Sequence, residues 1–162
     1  MQRRENKMET LSSYMADDHH HCDALMRRAS GCVLHGQWSQ ARDAAAAFQN
    51  ALERHLLIEE RILFPAFEQA IGRAPSPTGV MRAEHLRIRA VAQRMVDSVH
   101  ALDRDAFDTH AEVLLLVLHQ HGEKEEGLVY PMIERVLAPR GRAQVLAAMR
   151  GFTALDPCES AA

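Results

Sequence analysis

The chain has 162 residues, enough for one domain with a real core, and its 47% apolar and 25% charged content is ordinary for a soluble globular protein. A formal net charge of −3 argues against a general nucleic-acid or anionic-membrane binder, which needs a basic surface, and no stretch approaches the ~20 apolar residues of a membrane span. Three cysteines, Cys22, Cys32 and Cys158, are odd in number and form no C-x-x-C, so neither a disulfide framework nor an iron–sulfur cluster is expected and a reducing compartment fits.

Residues 1–7 have no apolar run behind them, which predicts no signal peptide and a cytoplasmic location. Thr10, Ser12 or Ser13 caps a first helix, with Asp17 and Asp18 in its early turns. Its inward stripe is Met15, His19, Cys22, Met26, Ala29 and Val33, in the steps of four and three that a buried helix face requires. Residues 36–39 make a turn, and a second helix from near Trp38 or Gln40 turns Phe48, Leu52, His55, Glu59, Ile62 and Ala66 inward. Residues 72–79, rich in Gly and Pro, are the one clear linker. A third helix follows with Met81, His85, Ile88, Ala92, Met95, Val99 and Leu102 inward. After a turn at 103–105, a fourth runs from about Ala106 with Phe107, Ala111, Leu114, Leu118, His121, Glu125, Leu128 and Met132 inward, until Pro139 and Gly141 stop it. Pro65 and Pro131 each remove a backbone donor and crowd the carbonyl four residues earlier, which predicts a kink or a termination. The fold expected is all-α: an up-down-up-down four-helix bundle over residues 1–152, with a short helix at about 142–150 on the bundle end and a disordered tail over 153–162.

The second half of the chain repeats the first at an offset of 66 residues. His121, Glu125, Glu126, Tyr130 and Pro131 match His55, Glu59, Glu60, Phe64 and Pro65, and Glu84-His85 matches Asp18-His19. Each half thus supplies one lone His and, 36 residues later, a His-x-x-x-Glu pair. All six of His19, His55, Glu59, His85, His121 and Glu125 fall on stripes their helices must bury, and residues four apart share a helix face. Four imidazoles and two carboxylates left unpartnered in an apolar interior cost several kcal/mol, a cost that a bound metal pair removes. Imidazole with carboxylate and no thiolate suits iron or manganese, with zinc as a further candidate. If Glu59 and Glu125 each bridge two metals that take two His apiece, an oxo or hydroxo bridge brings each metal to five bonds. An octahedral ion then keeps one position for dioxygen, nitric oxide or peroxide.

These motifs resemble the hemerythrin-like, or HHE cation-binding, family over roughly residues 10–140. The matching text is Asp18-His19, His55 through Glu59-Glu60 into Phe64-Pro65, Glu84-His85, and His121 through Glu125-Glu126 into Tyr130-Pro131. The resemblance implies a non-haem di-iron centre in a four-helix bundle. Oxygen-carrying members place a second His where this chain has Arg89, and an Asp five residues past the last His, where it has Glu126. The chain therefore resembles the bacterial branch with four His and two Glu. Small diatomic ligand binding or redox sensing is the function expected, with a redox or signalling protein as partner and neither nucleic acid nor membrane. Iron–sulfur cluster repair or turnover of nitric oxide or peroxide at the same centre is the alternative, and a metal-stabilised interaction bundle a third.

Other residues have plainer readings. His20 and His21 fall off the stripe and are expected at the surface, and His35, His100 and His110, without matching partners, in structural or exposed roles; His119 and Glu123 read as a solvated pair. Cys22 and the stripe methionines read as core, and Trp38 and Tyr130 as ordinary packing. Glu60 and Glu126 recur about 100° round the helix from the paired Glu, as supporting groups, salt-bridge partners or further ligands.

Overall fold

A computed structural model describes residues 9–153; residues 1–8 and the expected tail from residue 154 on lie outside the described residues. The described residues form helices α1 (Leu11–Leu34), α2 (Trp38–Ile58), α3 (Phe64–Ile71), α4 (Thr78–His100), α5 (Arg104–Lys124), α6 (Tyr130–Val136) and α7 (Pro139–Gly151). Two π turns, Glu59–Leu63 and Glu125–Val129, carry α2 into α3 and α5 into α6. α1 packs on α2 and α5, and α4 packs on the same two, which closes an all-α four-helix bundle. α7 lies against α1 and the first π turn.

Local chemistry sets the boundaries. Thr10 caps α1 by accepting the Ser13 N–H, while Ser13 Oγ accepts the Thr10 N–H in return; such a cap contributes ~1 kcal/mol. At the other end Gly36, at φ 68°, donates to Val33 O, and Gln37 donates to Cys32 O at 2.9 Å, so two last-turn carbonyls are satisfied. The repeat makes the same turn 66 residues later with Leu102 at φ 58°, Leu102 N–H on Val99 O and Asp103 N–H on Ser98 O. Leu102 therefore leaves the helix face and is 50% exposed, not inward as expected. Holding a leucine in that left-handed conformation costs ~1–2 kcal/mol. Asp103 is not part of a three-residue turn but the cap of α5, accepting from Ala106 N–H. Pro139 likewise opens a helix rather than closing one: it stands in the first turn of α7, where a missing N–H costs nothing.

The expected stripes hold as far as Glu59 and Glu125 and then shift by one. Leu63, Phe64 and Phe67 are buried where Ile62 and Ala66 were expected. Val129, Tyr130 and Ile133 are buried, while Leu128 is 53% exposed. The π turns are the cause. Phe64 N–H reaches back five residues to Glu59 O, and Tyr130 N–H to Glu125 O, so each turn holds one extra residue and the following face rotates. Pro65 and Pro131 come directly after, in the first turns of α3 and α6.

The core has two apolar parts. One gathers Cys22, Met26, Phe48, Leu52, Ile88, Met95, Phe107 and Leu114 toward the α1–α2 and α4–α5 turns. The other gathers Met15, Ile58, Leu63, Phe64, Met81, Val129 and Tyr130 toward the end that α7 covers. Along every long helix the predicted His and Glu residues stand between these two parts.

Candidate metal centre

All six predicted residues meet in that intermediate layer. The donor atoms of Glu59, His85, His121 and Glu125 lie within 4.8 Å of one another, as do those of His19, His55 and Glu125. His55, Glu59, His85, His121 and Glu125 are buried, and only His19 is partly open. Nε2 of His19 lies 3.1 Å from Nε2 of His55 and 3.2 Å from Glu125 Oε2. Nε2 of His85 lies 3.2 Å from Glu59 Oε2, and Nε2 of His121 lies 2.6 Å from Glu125 Oε1.

A carboxylate beyond the cluster fixes each imidazole from behind. Nδ1 of His19 faces Glu126 at 2.8 Å, that of His55 faces Asp18 at 3.0 Å, that of His85 faces Glu60 at 2.7 Å, and that of His121 faces Glu84 at 2.8 Å. An ionised carboxylate only accepts, so each Nδ1 carries the hydrogen and each Nε2 turns inward. The arrangement follows the repeat: the acid before a lone His holds the paired His, and the acid after a paired Glu holds a lone His. Arg89 grips Glu53 and Glu60 together, with contacts of 2.8–3.2 Å. Arg54 spans Asp18, the Tyr14 hydroxyl and Met149 O, and Lys124 binds Glu84.

The centre itself is left short of partners. Glu59 Oε2, His85 Nε2, His121 Nε2 and both oxygens of Glu125 are buried without a hydrogen bond, although several approach one another closely. Five such atoms in one layer would be expensive in a closed apolar core. Their convergence, with four Nε2 atoms and two carboxylates turned inward, is what a cation requires. Cys22 lies one turn beyond His19, and with no cation bound, burial and then the charges of Asp18 and Asp23 push its thiol up to about 12.

With protons alone in the cluster, the charges sort themselves. Burial opposes a charge on His19 and on His85, but their contacts with Glu125, and for His85 also with Glu59, outweigh it and raise them to about 9 and about 10. His121 is raised for the same reason. Burial also opposes ionisation of Glu125, yet the His121, His19 and His85 rings hold it well below the usual carboxylate range. Glu59 is pushed up, by burial and then by the neighbouring charge of Glu125. A pKa raised on folding stabilises the protein below the unfolded value and stops doing so above the folded one. Metal-free protein is therefore expected to melt at progressively lower temperature as pH rises from 6.5 through about 9 and about 10. Thermal melts across that window check this, and a flat or rising melting temperature contradicts it.

The sequence left three kinds of support unassigned. The first is the pair Asp18 and Glu84, which recur at the repeat offset, and that recurrence was their signal. Tyr130 is the second: it is fully buried and donates to Glu59 Oε1 at 2.8 Å, where its repeat mate Phe64 stacks on His85 instead. Arg89 is the third, visible in sequence only as the absence of a further His. His20 and His21 are exposed as expected, and His119 with Glu123 forms an exposed pair at 3.5 Å.

A model of the hemerythrin HHE cation-binding domain matches residues 10–147. The chain belongs to the hemerythrin HHE family. No curated protein and no solved structure matches it significantly. The match makes this HHE chain a member of a cation-binding family, and the buried His/Glu layer is a place where a cation fits. No helix of the described HHE residues is long and apolar enough to cross a membrane.

Proposed function

We propose that this HHE protein holds two iron ions among His19, His55, Glu59, His85, His121 and Glu125, and that it binds a small ligand, dioxygen or nitric oxide, or senses redox state there. The observation that supports this reading is the inward convergence of four Nε2 atoms and two carboxylates with five buried atoms unpartnered. Imidazole with carboxylate favours iron, with manganese or zinc as competitors. Glu125 is common to both donor groups, and Glu59 completes the group of His85 and His121. Bound there, iron supplies reversible one-electron chemistry and affinity for diatomic molecules. The chain supplies the rest. Asp18, Glu60, Glu84 and Glu126 hold the ring tautomers, Tyr130 donates to Glu59, and the apolar parts of the core close the layer above and below.

A cavity of about 480 Å³ reaches His19, His55 and His121 from the surface, which favours ligand access over a purely structural cation. Anaerobic loading with Fe(II), followed by titration with oxygen and with nitric oxide, tests the reading. Stoichiometric optical changes with each ligand are expected from a binder or sensor. An unchanged spectrum with both ligands contradicts that function, and repeated consumption of either gas makes the protein an enzyme instead.

A further inference from the structure

We infer that the two cation positions are unequal: Glu59, His85, His121 and Glu125 form a closed position that retains its ion, and His19, His55 and Glu125 form an open one whose ion exchanges. This rests on the two-cation reading above. The 66-residue repeat would make the positions equivalents, so differences between matched residues decide how each behaves.

Four matched pairs break the symmetry in one direction. Arg89 holds Glu53 and Glu60 over His85, whereas its mate Asp23 brings no cation to Glu126. As a result His85 is 0% exposed beside a clamped Glu60, and His19 is 21% exposed beside a Glu126 that is itself 51% exposed. Ile88, fully buried one turn beyond His85, is larger than its mate Cys22, which lines the cavity one turn beyond His19, and Gly122, which lies against His19 Cε1, is smaller than its mate Leu56. His85 alone of the four imidazoles stays off that cavity. The fourth pair is Tyr130 and Phe64. The Tyr130 hydroxyl occupies Glu59 Oε1, and the remaining oxygen, Oε2, lies 3.2 Å from His85 Nε2 but 3.7 Å from His55 Nε2. The closed position thus gathers four buried donors, and the open one gathers three, one of them partly exposed. Fewer donors and a less firmly held, partly exposed ring both act to speed loss of the ion from the open side.

The test is release of Co(II) or Fe(II) from fully loaded protein into excess chelator, followed optically and by metal analysis. Wild-type protein is expected to lose one equivalent at least ~10-fold faster than the other, in line with the ~10–100-fold that supporting groups contribute. His19→Ala should keep one equivalent and show only the slow phase. Gly122→Leu, which copies Leu56 at the matched place, should slow the fast phase several-fold and spare the slow one. A β-carbon there meets His19 Cε1 at 3.7 Å, an ordinary contact. Release of both ions in a single phase overturns the inference while leaving two-cation binding intact, and so does loss of both equivalents in a folded His19→Ala. A loaded wild type holding fewer than two ions overturns the two-cation reading on which it rests.

Discussion

Glu125→Ala is expected to lose the cation held by His19 and His55 and to keep the other only weakly, whereas Asp18→Ala should still take up two and bind them more weakly. Glu125 is the one described side chain that belongs to both donor groups, and neither of its oxygens has another partner. Removing it leaves His19 and His55 as a two-donor remnant, and Glu59, His85 and His121 as a three-donor one. Asp18 contributes no atom to the cluster. It holds Nδ1 of His55 at 3.0 Å, so its loss frees the ring without deleting a donor, and such supporting groups are worth ~10–100-fold in affinity. Both variants should fold. In Glu125→Ala the imidazoles lose one raising contact but keep Glu126 and Glu60 on Nδ1 of His19 and His85; in Asp18→Ala, Arg54 keeps Tyr14 and Met149 O. Metal analysis and calorimetric titration decide the matter. Two cations retained by Glu125→Ala would refute its shared role, and complete metal loss in Asp18→Ala would make Asp18 more than an orienting group.

The contrast between these variants marks what the sequence displays and what it hides. Donor residues were legible because they must sit on buried stripes and because the chain states them twice. His19 was separable from His20 and His21 on those two grounds alone. Their supports were harder to read. A carboxylate that reaches an imidazole on another helix leaves no local period, and Asp18 acts on His55 across the bundle, 37 positions away. The π turns were hidden for a related reason. Steps of four and three continue unbroken through Ile62 and Ala66, and through Leu128 and Met132, so pattern alone favours an uninterrupted α-helix. Only Pro65 and Pro131 signalled trouble, and they marked its place without its kind. Insertion of a residue just past Glu59 and Glu125 has a functional result: it turns Leu63 and Val129 toward the core and puts Tyr130, rather than a residue one place away, over Glu59. Leu102 was misplaced inward because the periodicity was carried past the helix end at His100, into a turn whose first copy uses Gly36.

Removing the cations is expected to lower the melting temperature by at least ~8 °C at neutral pH, and by more as the pH rises. A ligand present at about 1,000 times its dissociation constant stabilises the folded state by ~4 kcal/mol, and each kcal/mol moves the midpoint of a domain this size by ~2–4 °C. The structure gives the reason for the pH dependence. Metal-free protein partly satisfies its centre with protons, because His19 and His85 stay charged up to about 9 and about 10 and neutralise Glu125. Raising the pH strips those protons and leaves Glu59 Oε2 and both Glu125 oxygens buried without compensation. Loaded protein has no such protons to lose, since a ligating Nε2 must already be deprotonated. Cation affinity and the gap between loaded and metal-free melting temperatures should therefore both widen from pH 6.5 toward about 9, the span over which the metal-free His19 gives up its proton. Paired melts with and without chelator at successive pH values measure the gap directly. A gap that stays constant or narrows over that range would mean that protons and cations do not compete for these imidazoles, and that the six side chains meet for some purpose other than holding metal.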